Sequence, residues 1–237
     1  MGMLLIFGGT TEGRQAAQAA RSRGEDVLVC VVSAYARALL PPGICCHVGA
    51  LGPEEMLDFI RVKRPERIVD ATHPYALRAT ENIRRCAEIL GLPCERIVRP
   101  QAAGGWREAA EWADDAQEAA HALLRTEGNV LLTTGSHTLG VYAACVDPAR
   151  LYARVLPTPS ALEACREAGI PPSHVIAMQG PFSAALNAAL YDQFAIRAMV
   201  SKDSGAAGGV EEKVLPALAR DTHVILIRRP KEAEDAR

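Results

Sequence analysis

The stretch Phe7-Gly8-Gly9-Thr10-Thr11-Glu12-Gly13-Arg14 decides the fold of this chain. It follows an apolar run at 3–6 and precedes the helix-forming run Gln-Ala-Ala-Gln-Ala-Ala at 15–20. A strand, a glycine turn and a helix that opens on small residues are typical of a parallel α/β sheet. The N–H groups at the amino end of such a helix point into the turn, so we expect the turn to bind a phosphate group.

Each residue of the turn has its own part in this interpretation. Gly8 and Gly9 permit positive φ and close approach of the backbone, and Gly13 leaves room for the helix to pack on the strand. The two threonines add hydroxyl donors, and Arg14 can hold a pair of phosphate oxygens. The residues assigned to the cofactor here are Gly8, Gly9, Thr10, Thr11, Glu12, Gly13 and Arg14. Because the dinucleotide fingerprint is Gly-x-Gly-x-x-Gly, whereas this spacing is Gly-Gly-x-x-x-Gly, a plain strand-to-helix turn stays open.

Length and charge limit the classes of protein. The 237 residues suit two α/β domains, which we place at 1–100, for nucleotide binding, and at 101–237. With 28 acidic and 26 basic residues, the chain has no overall positive field, which argues against nucleic acid as its partner. No apolar run reaches the length of a membrane span, and the first residues form a strand rather than a signal sequence, so we expect a cytoplasmic protein.

The seven cysteines do not indicate a metal centre. Their number is odd and no Cys-x-x-Cys spacing occurs, so neither a zinc site nor a disulfide framework is expected. We interpret them as small core residues in a reducing compartment. The triplet Cys45-Cys46-His47 is a weak metal candidate, because neighbouring side chains of a strand face opposite sides.

The end of the second predicted strand, 26–32, bears on the choice of cofactor. An Asp or Glu at this point would bind the adenosine ribose of NAD and repel the extra phosphate of NADP. This chain has Ser33 there, with Arg37 one helical turn later. A hydroxyl and a guanidinium suit the extra phosphate, so we expect NADPH to be preferred over NADH.

A second candidate loop follows the strand at 67–69 and reads Asp70-Ala71-Thr72-His73-Pro74-Tyr75-Ala76. Pro74 suits the first position of the helix that extends to Leu90, which leaves His73 in the loop and facing a ligand. The alternative is that His73 is an ordinary helix cap.

The second half of the chain repeats this arrangement after a predicted linker at 99–105. Each predicted strand ends in a polar loop, and in open parallel sheets ligands bind beyond the carboxyl ends of the strands. Only four of the 26 basic residues are lysines, so the two at 202 and 213 suggest that a compact ammonium is wanted there. The candidate binding residues of this half are Ser136, Arg154, Gln179, Ser183, Lys202, Asp203, Ser204, Gly205 and Lys213.

Six blocks, in order along the chain, resemble the precorrin-6A reductase family of corrin-ring biosynthesis, which includes cobalt-free and cobalt-containing forms. Each block is weak alone, whereas six in the same order are specific. The blocks are Gly8 to Arg14, Asp70 to Ala76, Thr133 to Ser136, Arg154 to Pro157, Gln179 to Ser183, and Ser201 to Gly205 with Glu212 and Lys213.

The resemblance implies an oxidoreductase acting on a CH–CH group, built from two Rossmann-like domains with mainly parallel sheets that face an interdomain cleft. It implies a nicotinamide cofactor at the glycine turn and a tetrapyrrole in the cleft, where one double bond is reduced by hydride transfer. The substrate's carboxylates would need cations, for which Arg154, Lys202 and Lys213 are candidates. His73 and Tyr75 are candidate proton donors, and the proton can also come from solvent or from the substrate. The resemblance leaves contacts with other corrin-pathway enzymes open.

Two other classes stay open at this point. An S-adenosylmethionine-dependent tetrapyrrole methyltransferase also binds its cofactor at a glycine turn, but it would normally have an acidic residue where Ser33 stands. A non-catalytic nucleotide-binding sensor would need the glycine turn alone, and the polar loops of the second half would then be unexplained.

Overall fold

A computed structural model of the protein describes residues 2–97 and 102–230. The chain divides between residues 99 and 100 into two compact units, which we describe separately. The predicted domain boundary and the first residues of the predicted linker lie outside the described residues. The cleft expected between the domains stays a prediction.

The first unit is a five-stranded parallel sheet with helices on both faces. Its strands lie in the order β3-β2-β1-β4-β5, so the chain winds outward from β1 and then returns to the other side of it. This reversal beside β1 creates the crevice in which such sheets bind ligands. The elements are β1 Met3–Phe7, α1 Thr11–Ser22, β2 Asp26–Val31, α2 Ala34–Ala38, β3 Cys45–Val48, α3 Pro53–Lys63, β4 Arg67–Asp70, α4 Leu77–Leu90 and β5 Cys94–Arg96.

The apolar run of β1 is buried on both faces of this sheet. Leu5 packs with Ile60 of α3 and Ile83 of α4, whereas Ile6 packs with Ala17 of α1. Successive side chains of a strand point to opposite faces, so a strand covered on both sides needs a continuous apolar run. The short segment before the glycine turn therefore fixes β1 at the centre of the unit.

The second unit is a six-stranded parallel sheet in the order β6-β11-β10-β7-β8-β9. Its strand order also reverses once, between β10 and β7. The elements are β6 Glu111–Ala113, α5 Ala116–Leu123, β7 Asn129–Leu132, α6 Leu139–Ala143, β8 Leu151–Val155, α7 Pro159–Glu167, β9 Val175–Ala177, α8 Ala184–Gln193, β10 Ile196–Lys202, α9 Glu211–Leu218 and β11 His223–Ile227.

The predicted α/β class with parallel sheets is confirmed, and the differences are local. Pro74 lies in a turn closed by a hydrogen bond from Ala76 N to His73 O at 2.8 Å, and α4 begins only at Leu77. The prediction that the cysteines are core residues is wrong for Cys45 and Cys94, which are exposed. Both lie on edge strands, where part of the strand faces solvent.

Two further features of the described part of the chain concern membranes and metals. No helix there is long and apolar enough to cross a membrane. Nor do three or more His, Cys, Asp or Glu side chains come together there in a group that could hold a metal ion.

Candidate functional site

The glycine turn of the first unit is held by a single hydroxyl group. Thr10 is the residue that caps α1, and its Oγ1 accepts a hydrogen bond from Gly13 N at 3.1 Å. The same hydroxyl donates to the carbonyl of Ala71, just beyond β4, at 2.8 Å. The turn is therefore fixed to the strand on the other side of the reversal point.

Gly13 and Gly9 of the turn serve different purposes. A Cβ at Gly13 would lie 3.2 Å from Ala71 Cβ and 3.3 Å from Gly8 Cα, so the helix approaches the sheet too closely for a side chain. Gly9 has φ +121°, which other residues rarely adopt, yet no described atom lies within 4 Å of the position of its Cβ. The space beside Gly9 is open to a ligand.

The first turn of α1 carries both a cation and an anion. Arg14 Nη2 donates to Thr11 Oγ1 at 3.0 Å, and both residues are half-buried. Glu12 also lies in this turn, where a carboxylate suits a hydroxyl donor such as a ribose better than a phosphate. The aligned peptide dipoles of this 12-residue helix favour an anion at its amino end.

A cavity of about 400 Å³ opens at the carboxyl ends of β1 and β2. Val32 lies at this cavity just beyond β2 and is 72% exposed, although the sequence predicted it inside the strand. Sequence reasoning missed the cavity, because the loop 49–52 and the helices α3 and α4, which close it beside the strand ends, come from separate parts of the chain. The lining includes the apolar Phe7, Val31, Leu51, Met56 and Ile83 and the polar Thr72, Arg78 and Asn82.

Ser33 and Arg37, the residues predicted to select NADPH, follow the cavity residue Val32 in the sequence but do not line the cavity. Ser33 caps α2, accepting a hydrogen bond from Ala36 N at 3.1 Å, and Arg37 is exposed on the same short helix. Arg78, in the first turn of α4, is the arginine that lines the cavity. No signal in the sequence distinguishes Arg78 from the many other exposed arginines.

A buried carboxylate shapes the second loop of this unit. Asp70 Oδ1 accepts from Thr72 N at 2.9 Å, and Oδ2 accepts from Arg96 Nη1 at 2.9 Å. Arg96 also bonds to Thr80 Oγ1 on α4. Asp70 therefore holds the loop in place.

His73 and Tyr75, the candidate proton donors, lie side by side in that loop. Their ring centroids are 5.5 Å apart, and both residues are half-buried. The backbone N–H of Tyr75 donates to His73 Nδ1 at 3.4 Å. A neutral imidazole that accepts at Nδ1 carries its proton on Nε2.

In the second unit, Arg154 of β8 is a buried cation. It is 6% exposed, and its Nη1 donates to Asn187 Oδ1 at 2.7 Å. The Phe182 ring covers one face of the guanidinium, 4.3 Å from Cζ. Burial lowers the pKa of Arg154 to about 10, so it remains protonated at neutral pH.

Lys213 provides a second buried cation on the same face of this sheet. Its Nζ donates to Ser201 Oγ at 3.1 Å, and the Tyr191 hydroxyl donates to its carbonyl oxygen at 2.8 Å. The register Val200↔Leu132 and Leu132↔Ala153 places Ser201 and Arg154 in one row, two strands apart. Adjacent strands are spaced by about 4.8 Å, so the row spans roughly 10 Å.

Asp203 anchors the loop that follows β10. It is 1% exposed, its Oδ2 accepts from Arg107 Nη2 at 3.1 Å, and its carbonyl accepts from Arg229 Nε at 2.9 Å. Asp203 thus holds the loop, while burial lowers the pKa of its half-buried neighbour Lys202. Sequence reasoning missed Arg107, whose partner is 96 residues away.

The remaining candidates lie in two groups. Near Arg154, Ser183 caps α8 by accepting from Leu186 N at 3.2 Å, and the exposed Gln179 donates to Gly180 O at 3.0 Å. Near Lys202, the Ser204 hydroxyl donates to Gly208 O at 3.3 Å, and Gly205 has φ +70°. Ser136 opens a short 3-10 turn after β7, between the two groups in the sheet.

Comparison with known proteins identifies relatives of the whole chain. A protein of Priestia megaterium named cobalt-precorrin-6A reductase is 35% identical over 233 residues, which cover 97% of this chain and 91% of the relative. A precorrin-6A reductase of Rhodococcus erythropolis is 30% identical over 236 residues, covering 97% and 90%. The solved structure titled CobK precorrin-6A reductase matches with a TM-score of 0.75 at 23% identity, over 97% of this chain and 89% of its own, and so shares the fold.

The family model described as Precorrin-6x reductase CbiJ/CobK matches residues 3–237. The match therefore includes both sheets, the glycine turn and the buried arginine. This chain belongs to the precorrin-6x reductase family.

Proposed function

We propose that this chain reduces one double bond of the precorrin-6A macrocycle, with or without cobalt, by hydride transfer from a nicotinamide cofactor, preferably NADPH. The observation that carries the proposal is the buried Arg154, whose contacts in the described chain are neutral, in a member of a reductase family. Burying a charge without an opposite charge costs several kcal/mol, a cost that an anionic ligand would offset. The relatives' printed names supply the substrate.

The first unit has features that fit the cofactor. The open space beside Gly9 and the amino end of α1 suit a diphosphate, and Arg14 lies in the same helical turn. The neighbouring cavity of about 400 Å³ has mainly apolar walls, which suit a flat ring such as adenine or nicotinamide. Ser33 and Arg37 remain our candidates for the extra phosphate of NADPH.

The protein's own contribution is to orient two rings and to deliver a proton. The bound nicotinamide supplies the hydride, which goes to one carbon of the substrate double bond. A proton must reach the neighbouring atom to complete the reduction. The Nε2–H of His73 and the hydroxyl of Tyr75 are the donors that we propose, and the backbone N–H of Tyr75 keeps His73 oriented.

The second unit would hold the substrate by its acetate and propionate groups. Arg154 and Lys213, whose Nζ donates to Ser201, lie on one face of the sheet, where two cations suit two carboxylates of one macrocycle. Lys202, on the next position of β10, points to the opposite face. Ser136, Gln179 and Ser183 lie in the loops at the same edge of the sheet and are proposed as polar contacts.

Family membership favours a reductase over the methyltransferase and the sensor considered above. The end of β2 supports this choice, because Val32 and Ser33 stand where a methyltransferase would normally have its acidic residue.

The test is to mix the protein with NADPH and enzymatically prepared precorrin-6A or cobalt-precorrin-6A and to follow the absorbance of NADPH. We expect oxidation of NADPH that depends on both protein and macrocycle, with slower oxidation of NADH in a parallel reaction. Equal absorbance traces with and without the protein, for both macrocycles and both cofactors, would overturn the proposal.

A further inference from the structure

We propose that Asn187 is a positioning residue that orients Arg154 while leaving its positive charge uncompensated for a substrate carboxylate. The inference rests on the proposed function. It adds a residue that the sequence did not single out, and it explains why the side chain holding a buried arginine is neutral.

The geometry around Asn187 is fully specified. Asn187 is 0% exposed on α8, and its Oδ1 accepts from Arg154 Nη1 at 2.7 Å. Its Nδ2 donates to the carbonyl of Ser183 at 2.9 Å, which fixes the orientation of the amide. The short contact and the full burial leave this asparagine no alternative rotamer that keeps both bonds.

The remaining edge of the guanidinium is directed to a ligand. Within residues 2–97 and 102–230, the guanidinium of Arg154 makes one hydrogen bond, to Asn187. The Phe182 ring covers one face of this guanidinium. Five side-chain polar atoms of the described residues are buried and lack a hydrogen-bond partner, and Arg154 Nε and Nη2 are not among them. These two N–H groups therefore reach the small exposed part of the residue, where their fork matches the two oxygens of a carboxylate.

An aspartate at position 187 would give a more ordinary buried pair. Its carboxylate would occupy the position of the amide and would neutralise Arg154. The Nδ2 bond to Ser183 O would be lost, and a carboxylate oxygen would face that carbonyl oxygen, whose repulsion offsets part of the gain from the ion pair. Ser183 O would still accept the backbone N–H of residue 187 at 3.1 Å. The neutral amide therefore keeps the positive charge of Arg154 available to a ligand, and the protein lacks the ion pair that an aspartate would form.

The test compares Asn187→Asp with Asn187→Leu, an apolar side chain of similar size. We measure the dissociation constant of cobalt-precorrin-6A without cofactor, kcat and KM with NADPH, and the midpoint of thermal unfolding. For affinity and for KM we expect wild type to be best, N187L to be intermediate, and N187D to be weaker than wild type by about tenfold to a hundredfold. For thermal stability we expect the two variants in the reverse order, with N187D more stable than N187L.

Opposite orders of N187D and N187L in binding and in stability would support the proposal. A purely structural asparagine would give the same order of the two variants in both measurements. Gln193→Glu, at the exposed end of α8, is the matched control for net charge and should change neither quantity. N187D that binds as tightly as wild type, or that is less stable than N187L, would overturn the inference. Failure of wild type to oxidise NADPH with either macrocycle would instead overturn the proposed function.

Discussion

The hydroxyl of Thr10 joins two strand ends, because it donates to Ala71 O at 2.8 Å while capping α1 through Gly13 N at 3.1 Å. Thr10→Ala removes both bonds and leaves a carbonyl without its donor. We expect a loss of about 1–3 kcal/mol in the free energy of unfolding, measured by urea denaturation, together with weaker NADPH binding. Thr10→Ser keeps the hydroxyl and should lose much less stability. Equal losses in the two variants would contradict this assignment.

The open space beside Gly9 predicts a loss of affinity that is separate from backbone strain. Gly9→Ala should cost about 1–3 kcal/mol of stability because of the positive φ, and it should also weaken NADPH at least tenfold because its methyl group enters the phosphate site. Gly24→Ala is the matched control, since Gly24 has φ +81° and equally open surroundings at the far end of α1. It should lose stability but keep its NADPH affinity, as measured by titration calorimetry. Unchanged affinity of Gly9→Ala would show that the phosphates lie elsewhere.

Cofactor preference can be assigned to one of two arginines. If Arg37 pairs with the extra phosphate, Arg37→Ala should weaken NADPH by about tenfold to a hundredfold and leave NADH nearly unchanged. Ser33→Asp should reverse the preference while keeping the cap on α2, because a carboxylate can also accept from Ala36 N. Arg78→Ala, at the cavity, serves as the comparison. A selective loss of NADPH in Arg78→Ala and not in Arg37→Ala would move the assignment to Arg78.

Lys202 should contribute to turnover as a contact for a carboxylate or phosphate. Lys202→Ala is expected to cost about 1.5–3 kcal/mol of transition-state stabilisation in kcat/KM. Asp203, its neighbour, already pairs with Arg107, so the variant leaves that ion pair in place. A catalytic efficiency within twofold of wild type would indicate a lysine without a functional contact.

The same lysine predicts a pH dependence of stability. Burial lowers the pKa of Lys202 in the folded protein below the usual 10.5. Between the two pKa values the unfolded chain binds more protons, so stability rises with pH through this window, relative to a protein without the lysine. The difference in free energy of unfolding between wild type and Lys202→Met should therefore shift in favour of wild type as pH approaches 10.5. Lys63→Met, which removes an exposed lysine of α3, is the control for the loss of one positive charge.

The proton donor can be tested with a pair of neighbouring variants. Tyr75→Phe keeps the backbone N–H that fixes His73 and removes only the phenolic hydroxyl. We expect His73→Ala to lower kcat by about a hundredfold or more, within the range for general acid catalysis, and Tyr75→Phe to have a small effect. Steady-state rates across the accessible pH range provide the measurement. Full turnover by both variants would mean that the proton comes from solvent or from the substrate.

The sequence was sufficient for the fold where the pattern was local. The apolar run before Gly8 predicted β1, and the run at 26–32 predicted β2 apart from its last residue. The binding residues predicted at the strand ends, Arg154 and Lys213 among them, stay predictions. Helix boundaries were less accurate, because Pro74, predicted at the first position of a helix, lies in a turn and α4 begins only at Leu77.

The parts that the sequence did not predict depend on distant pairings. Asn187 is one of many polar residues on an unremarkable helix until α8 packs against β8, 33 residues away in the chain. Arg107, before β6, and Asp203, after β10, meet in a sheet where β11 lies between these two strands. No local pattern encodes such contacts, whose strength comes from burial that the tertiary fold creates.

The ion pair of Arg107 with Asp203 also has a consequence for chain connectivity. Arg107 donates a hydrogen bond to the carbonyl of Ala102, the first described residue of the second unit. The backbone carbonyl of Asp203 accepts a hydrogen bond from Arg229, the last residue of the same unit. The described ends of this segment are therefore both joined to Asp203, one at its carboxylate through Arg107 and the other at its backbone carbonyl through Arg229. A circular permutant that joins these ends through a short linker and opens the chain at Gly169, in an exposed turn, would preserve every strand pairing of the sheet.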